Sequence, residues 1–376
     1  MVSHDELGPE KILEVYDAKT GMHGFVVIDN TALGPGKGGI RMTPTVSVDE
    51  VAKLARAMTY KCSLAGLPFG GGKSGIVADP RKMTPEQKDA IIAAFSKALK
   101  VVCPKLYVSA PDINTAEHEM KVFAEANGSM KSCTGKPKDM GGIPHELGST
   151  GFGVHHATLV AVKHLKLDIN DLTFAVEGFG NVGWFAAKFL TEKGAKLVAT
   201  SDSKGLVYVS EGMDFNKLVE IKKDKGTVTA YPGGQVLKGE EIVGLPVDIL
   251  VTAAVPDLIT EANKDSIKAK IVVEGSNIPT TADIEQYLHE KGILVVPDFV
   301  ANAGGVISSF VEYKGGTPEK MFKMVESKVV KNTTKVLRVA KKQGIKPRDA
   351  AIHVAIERIK KKTASKNLLV QKTRVF

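Results

Sequence analysis

The segment Gly178-Phe179-Gly180-Asn181-Val182-Gly183 constrains this chain more than any other, because it is a G-x-G-x-x-G. The pattern alone says little: with 37 glycines in 376 residues, chance supplies roughly 0.3 such matches. Its setting says more. It follows an apolar run, Thr173-Phe174-Ala175-Val176, and opens a predicted helix over Val182–Lys193. A strand that turns into a helix this way lets the backbone approach a pyrophosphate, while the helix N-terminus offers N–H groups. The next strand ends at Asp202, 19 residues after Gly183, where an acid would hydrogen-bond an adenosine ribose. Cofactor contacts are therefore expected at Gly178, Gly180, Asn181, Val182, Gly183 and Asp202. The bland alternative is a tight strand–helix turn with no ligand.

An acid at position 202 favours the 2′-hydroxyl of NAD. The surrounding Ser201-Asp202-Ser203-Lys204 also offers two hydroxyls and an ammonium to a 2′-phosphate. NADP and NAD both stay open, with NADP slightly favoured through Ser203 and Lys204.

From about residue 150 the chain alternates strands and helices. Apolar strands are predicted at Leu172–Glu177, Lys196–Ser201, Val247–Thr252, Lys270–Glu274 and Ile293–Pro297. Strands separated by helices imply a parallel sheet covered on both faces. Helices near 317–342 and 347–362 have no strand after them and are expected to pack back on the first domain. The first half reads differently. Two glycine-dense loops, 34–39 and 70–75, flank a helix opened by the capping box Ser47-Val48-Asp49-Glu50. Thr84-Pro85 caps another helix, and Leu106–Ala110 reads as a buried strand ended by Pro111-Asp112. The Gly/Pro-rich stretch from Gly135 to Ser149 is the expected domain boundary. The fold class is α/β with two domains: an N-terminal substrate and oligomerisation domain over 1–147, joined by 350–376, and a Rossmann-type dinucleotide-binding domain over 148–349.

Composition excludes several function classes. Apolar residues make up 43% and charged residues 25%, as in ordinary globular proteins. No apolar run is long enough to cross a membrane, and no basic-then-apolar leader is visible at the N-terminus. A cytoplasmic location is expected. Three cysteines without a C-x-x-C argue against a disulfide framework or a cysteine metal site. The net charge of +9 arises wholly in residues 340–376, which hold eleven Lys/Arg and two acids. A solvated helix and tail explains that better than a nucleic-acid surface.

Lys37 and Lys73 lie inside the two glycine segments, and Lys61 lies near the end of the helix between them. Each alone is a surface lysine in a turn. Three together, ahead of a nucleotide-binding half, suggest a site for a small anion. Asp112, after a buried strand, is either a proton carrier or a turn residue.

Gly34-Pro35-Gly36-Lys37-Gly38-Gly39-Ile40-Arg41 and Leu67-Pro68-Phe69-Gly70-Gly71-Gly72-Lys73 resemble the glutamate/leucine/phenylalanine/valine dehydrogenase family. So do Ala110-Pro111-Asp112, Gly178 to Gly183, Ser276-Asn277-Ile278-Pro279-Thr280-Thr281 and Asn302-Ala303-Gly304-Gly305-Val306, in the family's order. The resemblance implies that Lys73 is the catalytic lysine, Asp112 the catalytic acid/base and Lys61 the ligand of the substrate α-carboxylate. It places Thr150 near the nicotinamide carboxamide and Asn277 near the nicotinamide ribose. Lys37 and Ser309 match residues that contact the side-chain carboxylate in glutamate dehydrogenases; a shift of register would bring Ser308 there instead. Leucine dehydrogenases are similar in having few residues before Lys37 and in the segment Ala57-Met58-Thr59-Tyr60.

The resemblance thus implies an enzyme of amino-acid and nitrogen metabolism. Its reaction is NAD(P)-dependent reversible oxidative deamination of L-glutamate to 2-oxoglutarate and ammonia. Leucine, valine or phenylalanine is the alternative substrate, and a non-catalytic nucleotide-binding regulator the distant one. Expected partners are small molecules (glutamate, 2-oxoglutarate, ammonium) and further copies of the chain in a homo-oligomer, with a hexamer favoured. Neither nucleic acid, membrane nor metal is expected.

Overall fold

A computed structural model describes the backbone of residues 2–373 and side chains through residue 365. The basic tail beyond that lies outside the described residues. The chain forms two compact units. One takes the chain up to Leu147, then Val306–Met321, then the chain from His353 on; the other takes Gly148–Gly305 and Phe322–Ile352.

The first unit is a five-stranded sheet with helices on both faces. Its elements are β1 (Lys11–Asp17), β2 (Met22–Asn30), β3 (Gly36–Thr43), α1 (Val48–Leu64), β4 (Gly70–Val77), α2 (Pro85–Ala98), β5 (Tyr107–Pro111) and α3 (Glu117–Asn127). The strand order is β1-β2-β4-β3-β5. β1, β2 and β4 pair antiparallel, and β3 runs parallel to both β4 and β5. Alternation along the strands sorts side chains to two faces. Met22, Val26, Ile28, Ile40, Met42 and Ile76 pack with Phe95 and Phe123 of α2 and α3. Val27 packs with Val51 and Ala55 of α1 on the other face.

The sequence predicts glycine-dense loops at 34–39 and 70–75; the structure makes strands of Gly36–Thr43 and Gly70–Val77 instead. The glycines serve close approach rather than flexibility. A Cβ on Gly71 would sit 2.3 Å from the Thr59 backbone nitrogen of α1, and one on Gly38 would sit 1.7 Å from the Gly72 carbonyl oxygen. Only glycine lets α1 and the neighbouring strand lie that near. The lysines within these strands are correspondingly covered, not open: Lys37 is 1% exposed and Lys73 8%.

The second unit contains α4 (Ser149–His164), β6 (Thr173–Glu177), α5 (Asn181–Glu192), β7 (Lys196–Asp202), β8 (Gly205–Tyr208), α6 (Phe215–Lys225), β9 (Gln235–Leu237), β10 (Ile249–Thr252), β11 (Ile271–Glu274), α7 (Ala282–Glu290), β12 (Leu294–Val296) and α8 (Asp298–Ala301). Three further helices follow: α9 (Gly304–Tyr313), α10 (Pro318–Gln343) and α11 (Pro347–Thr373). The sheet order is β12-β11-β10-β6-β7-β8-β9. Its first five strands are parallel, while β8 and β9 add an antiparallel edge that the sequence reading does not contain. Because β6 lies between β7 and β10, the strand order reverses at its carboxyl end, where such sheets bind ligands. Residues 353–365 of α11 pack within the first unit: Ser63 Oγ donates to the Ala355 carbonyl at 2.7 Å, and the Arg358 guanidinium donates to the Ser63 and Leu64 carbonyls. No described helix is long and apolar enough to cross a membrane.

Candidate active site

In the first unit, sheet geometry gathers the lysines. Lys37 of β3 pairs with Gly71 of β4, and Lys73 lies two residues further along, so both side chains leave the face that α1 covers. Asp112 follows β5 on the same side; a Cβ on Gly39 would sit 2.7 Å from the Asp112 Cβ. Lys73 Nζ lies 2.6 Å from Asp112 Oδ2, and Arg41 Nε lies 3.5 Å from the same oxygen. Burial works against charge on Asp112, but Lys73 and then Arg41 outweigh it and hold the carboxyl below its usual range. Arg41 has no role in the sequence reading, yet its alternate spacing from Lys37 and Gly39 already points it to this face.

Lys37 is the deepest of the group. Its Nζ donates to the Ser109 carbonyl at 2.7 Å and reaches the Val108 carbonyl at 3.5 Å. Among the described residues no carboxylate lies within ion-pair distance of it. Burial pushes its pKa down to about 8, with the more distant Glu312 opposing the shift. Lys61 lies in the last turn of α1, half-buried. Ser309 lies on α9, half-buried and not hydrogen-bonded to Lys37 among the described residues. One turn beyond it, Glu312 fixes the helix. Its carboxylate accepts from the Gly135, Lys136 and Ile143 backbone N–H groups and from Lys136 Nζ at 2.6 Å. No sequence signal exposes this pair, whose members stand 176 residues apart.

In the second unit, the glycine turn fits a dinucleotide. Gly178 adopts φ +88°, and a Cβ on Gly183 would sit 1.9 Å from the Gly178 carbonyl oxygen. Both glycines are required by the turn itself. Gly180 is not: apart from its own chain neighbours, no atom of the described residues lies within 4 Å of its Cβ position. That open cradle faces the start of α5, whose first turn, Asn181-Val182-Gly183, has no side-chain cap. A helix start without a side-chain cap is a place where a phosphate can be received.

Asp202 is committed to the protein. Oδ1 accepts from the Lys204 N–H at 2.9 Å and Thr227 Oγ1 at 3.2 Å; Oδ2 accepts from Lys222 Nζ at 2.5 Å and the Val228 N–H at 2.9 Å. Ser203 and Lys204 beside it are exposed. Thr150 stands in the first turn of α4, with Oγ1 3.1 Å from the Cβ position of Gly305. Asn277 Oδ1 accepts from Asn302 Nδ2 at 3.0 Å, which also reaches the Gly275 and Ser276 carbonyls. Among the described residues no cluster of His, Cys, Asp or Glu is placed to hold a metal.

Two family models match the chain: the Glu/Leu/Phe/Val dehydrogenase dimerisation domain over residues 9–128, and the Glutamate/Leucine/Phenylalanine/Valine dehydrogenase domain over 141–366. The chain is 43% identical to a glutamate dehydrogenase of Aeropyrum pernix, across 88% of its own length and 83% of the relative's. It is 39% identical to an NADP-specific glutamate dehydrogenase of Saccharolobus shibatae, across 81% and 75%. The crystal structure of the hetero-hexameric glutamate dehydrogenase of Thermus thermophilus matches with a TM-score of 0.82 at 28% identity, over 95% of this chain and 90% of that one. Together with the geometry of both units, these matches establish that the chain belongs to the glutamate/leucine/phenylalanine/valine dehydrogenase family.

Proposed function

We propose that Lys73 and Asp112 catalyse the reversible oxidative deamination of L-glutamate, with Lys37, Lys61 and Ser309 holding the substrate. The chain is an NAD(P)-dependent amino-acid oxidoreductase, and its curated relatives are glutamate dehydrogenases. The observation that carries the choice of glutamate is Lys37, a buried lysine with no carboxylate within ion-pair distance among the described residues. An isolated buried cation is costly, and a substrate side-chain carboxylate supplies the missing anion through a charge-assisted hydrogen bond. An apolar side chain would leave it unpaired.

The bound cofactor supplies the hydride acceptor for the substrate Cα–H. Around it, the chain's own residues move protons and hold charge. Lys61 orients the α-carboxylate. Lys73, once it has given up a proton, draws one from the water that attacks the iminium carbon, and the resulting ammonium stabilises the carbinolamine oxygen. Asp112, in contact with Lys73, carries the proton to and from the departing amine. Gly178, Gly180 and Gly183, with the N–H groups of Asn181 and Val182, hold the pyrophosphate. Thr150 and Asn277 face the nicotinamide end.

NADP is the favoured cofactor. The oxygens of Asp202 already take four hydrogen bonds, so they have little capacity for a ribose hydroxyl, while exposed Ser203 and Lys204 suit a 2′-phosphate. A homo-hexamer in the cytoplasm is the expected assembly and location; the matching dimerisation-domain model supports association, and the hetero-hexameric Thermus relative supports six subunits. The test is a spectrophotometric screen of glutamate, leucine, valine and phenylalanine with NADP and NAD. Glutamate with NADP should give the highest kcat/KM. Faster turnover of leucine or valine would overturn the substrate, and a hundredfold preference for NAD would overturn the cofactor.

A further inference from the structure

In the second unit three carboxylates converge on one guanidinium. Arg348, in the first turn of α11, donates through Nε to both oxygens of Glu285 at 2.7 Å. Its Nη2 donates to Glu274 Oε2 and Asp298 Oδ1, each at 3.0 Å. The guanidinium also sits over the Phe299 ring, 5.5 Å from its centroid. The acids are deeply covered: Glu274 is 0% exposed, Glu285 2% and Asp298 7%.

Asp298 connects this cluster to the Asn277 turn. Its Oδ1 takes Arg348 and the Phe299 N–H, its own N–H donates to Glu274 Oε2 at 2.9 Å, and its Oδ2 accepts the Ile278 N–H at 3.1 Å. Ile278 stands at φ +50°, a region that β-branched residues avoid. Its side chain is 51% exposed, so packing alone does not hold it there. The backbone bonds do: the Ile278 N–H to Asp298, and the Ile278 carbonyl accepting the Asp257 N–H at 3.0 Å.

We infer that Arg348 is a positioning residue for the nicotinamide end of the cofactor, acting through Asp298 on the Asn277–Ile278 turn. Three acids facing one cation would repel each other. Burial, then Glu285 and Asp298, push the Glu274 carboxyl well up, and burial pushes Glu285 up as well, while the guanidinium fork opposes the repulsion among the three. Without Arg348, Asp298 swings from Glu274 and Glu285 and releases the Ile278 N–H. The turn then relaxes and Asn277 loses its placement. The inference rests on the proposed place of Asn277 beside the nicotinamide ribose.

The test uses the full-length enzyme with Arg348→Met, Asp298→Ala and the double variant, read by cofactor titration and by amide hydrogen exchange over 276–281. Each single variant should weaken cofactor binding about tenfold and speed exchange at Ile278 about tenfold, with the glutamate KM at saturating cofactor unchanged. The double variant should be no worse than either single, because both cut one connection. If Arg348→Met does not fold, Arg348→Lys, which keeps the charge but not the planar fork, should show a smaller change of the same kind. Parental exchange at Ile278 in a folded Arg348 variant, or additive losses in the double, would overturn the role. Asn277→Ala separates the two claims. If it leaves cofactor affinity unchanged, the assigned place of Asn277 fails, whereas the exchange data still report on Arg348's hold over the turn.

Discussion

The two sheets place chemistry in different ways. In the second unit the strands are mostly scaffold: β6, β10 and β11 are buried and largely apolar up to their last residues, and the residues proposed to hold the cofactor sit at the strands' carboxyl ends, in turns and at helix starts. In the first unit the side chains proposed to react lie in the strands or directly after one. Lys37 and Arg41 alternate along β3, Lys73 sits on β4, and Asp112 follows β5. A lysine inside a covered sheet needs room around it, and the glycines of β3 and β4 make that room while letting α1 descend onto the face. Glycine therefore has opposite meanings in the two units. In the first unit it is a packing residue, and at Gly180 it leaves open space, proposed to take the pyrophosphate.

The largest expected effect is on the lysine–aspartate pair. Lys73→Ala should lower kcat by roughly 10³-fold or more, with the fold retained and cofactor affinity unchanged; turnover within tenfold of the parent would remove Lys73 from the mechanism. Asp112→Asn should cost roughly 10²–10⁴-fold in kcat, because an amide cannot relay a proton. Near-parental turnover with a parental pH profile would contradict that.

Alanine at the two kinds of glycine should have smaller and distinct effects. Gly71→Ala should destabilise by about 3 kcal/mol or more, since its Cβ meets the backbone of α1. Gly180→Ala should leave stability within about 1 kcal/mol and instead raise the cofactor Kd, roughly tenfold, because the added methyl enters the phosphate cradle. Denaturant unfolding beside cofactor titration separates the two, and equal stability losses would refute the distinction.

The smallest effect is a pH slope. Lys37 has a folded pKa of about 8 against 10.5 when unperturbed. Between those values the unfolded chain binds more protons, so stability should rise with pH across that window, and the burial penalty is fully present below it. Lys37→Met should flatten the slope and stabilise the free protein by about 1–3 kcal/mol at neutral pH. A variant less stable than the parent, with the slope retained, would show that the penalty lies elsewhere.

Much of the second unit was legible because its strands are apolar runs bounded by turn residues, and the Gly178–Gly183 turn stands between a strand and a helix. Its antiparallel edge was not legible. Gly205–Tyr208 and Gln235–Leu237 are too short to carry a period, and Val236 is exposed. In the first unit, β3 and β4 looked like loops, since local propensity assigns Gly-Lys-Gly to turns and only the tertiary approach of α1 explains it. Lys73 and Asp112 were legible as motif residues, but their contact was not. Glu312 with Lys136, and Arg348 with its three acids, join residues far apart in sequence and leave no local trace.

Buried Lys37 is proposed to select a carboxylate side chain. The most direct measurement is the ratio of kcat/KM for L-glutamate over L-norvaline, in the parent enzyme and in Lys37→Met, with the cofactor saturating. The parent should favour glutamate by a factor on the order of 30 to several thousand, the worth of one desolvated charged partner. The variant should bring the ratio near one, mainly by losing glutamate activity. A parent ratio near one, or a Lys37→Met enzyme that keeps the parental ratio, would contradict the claim.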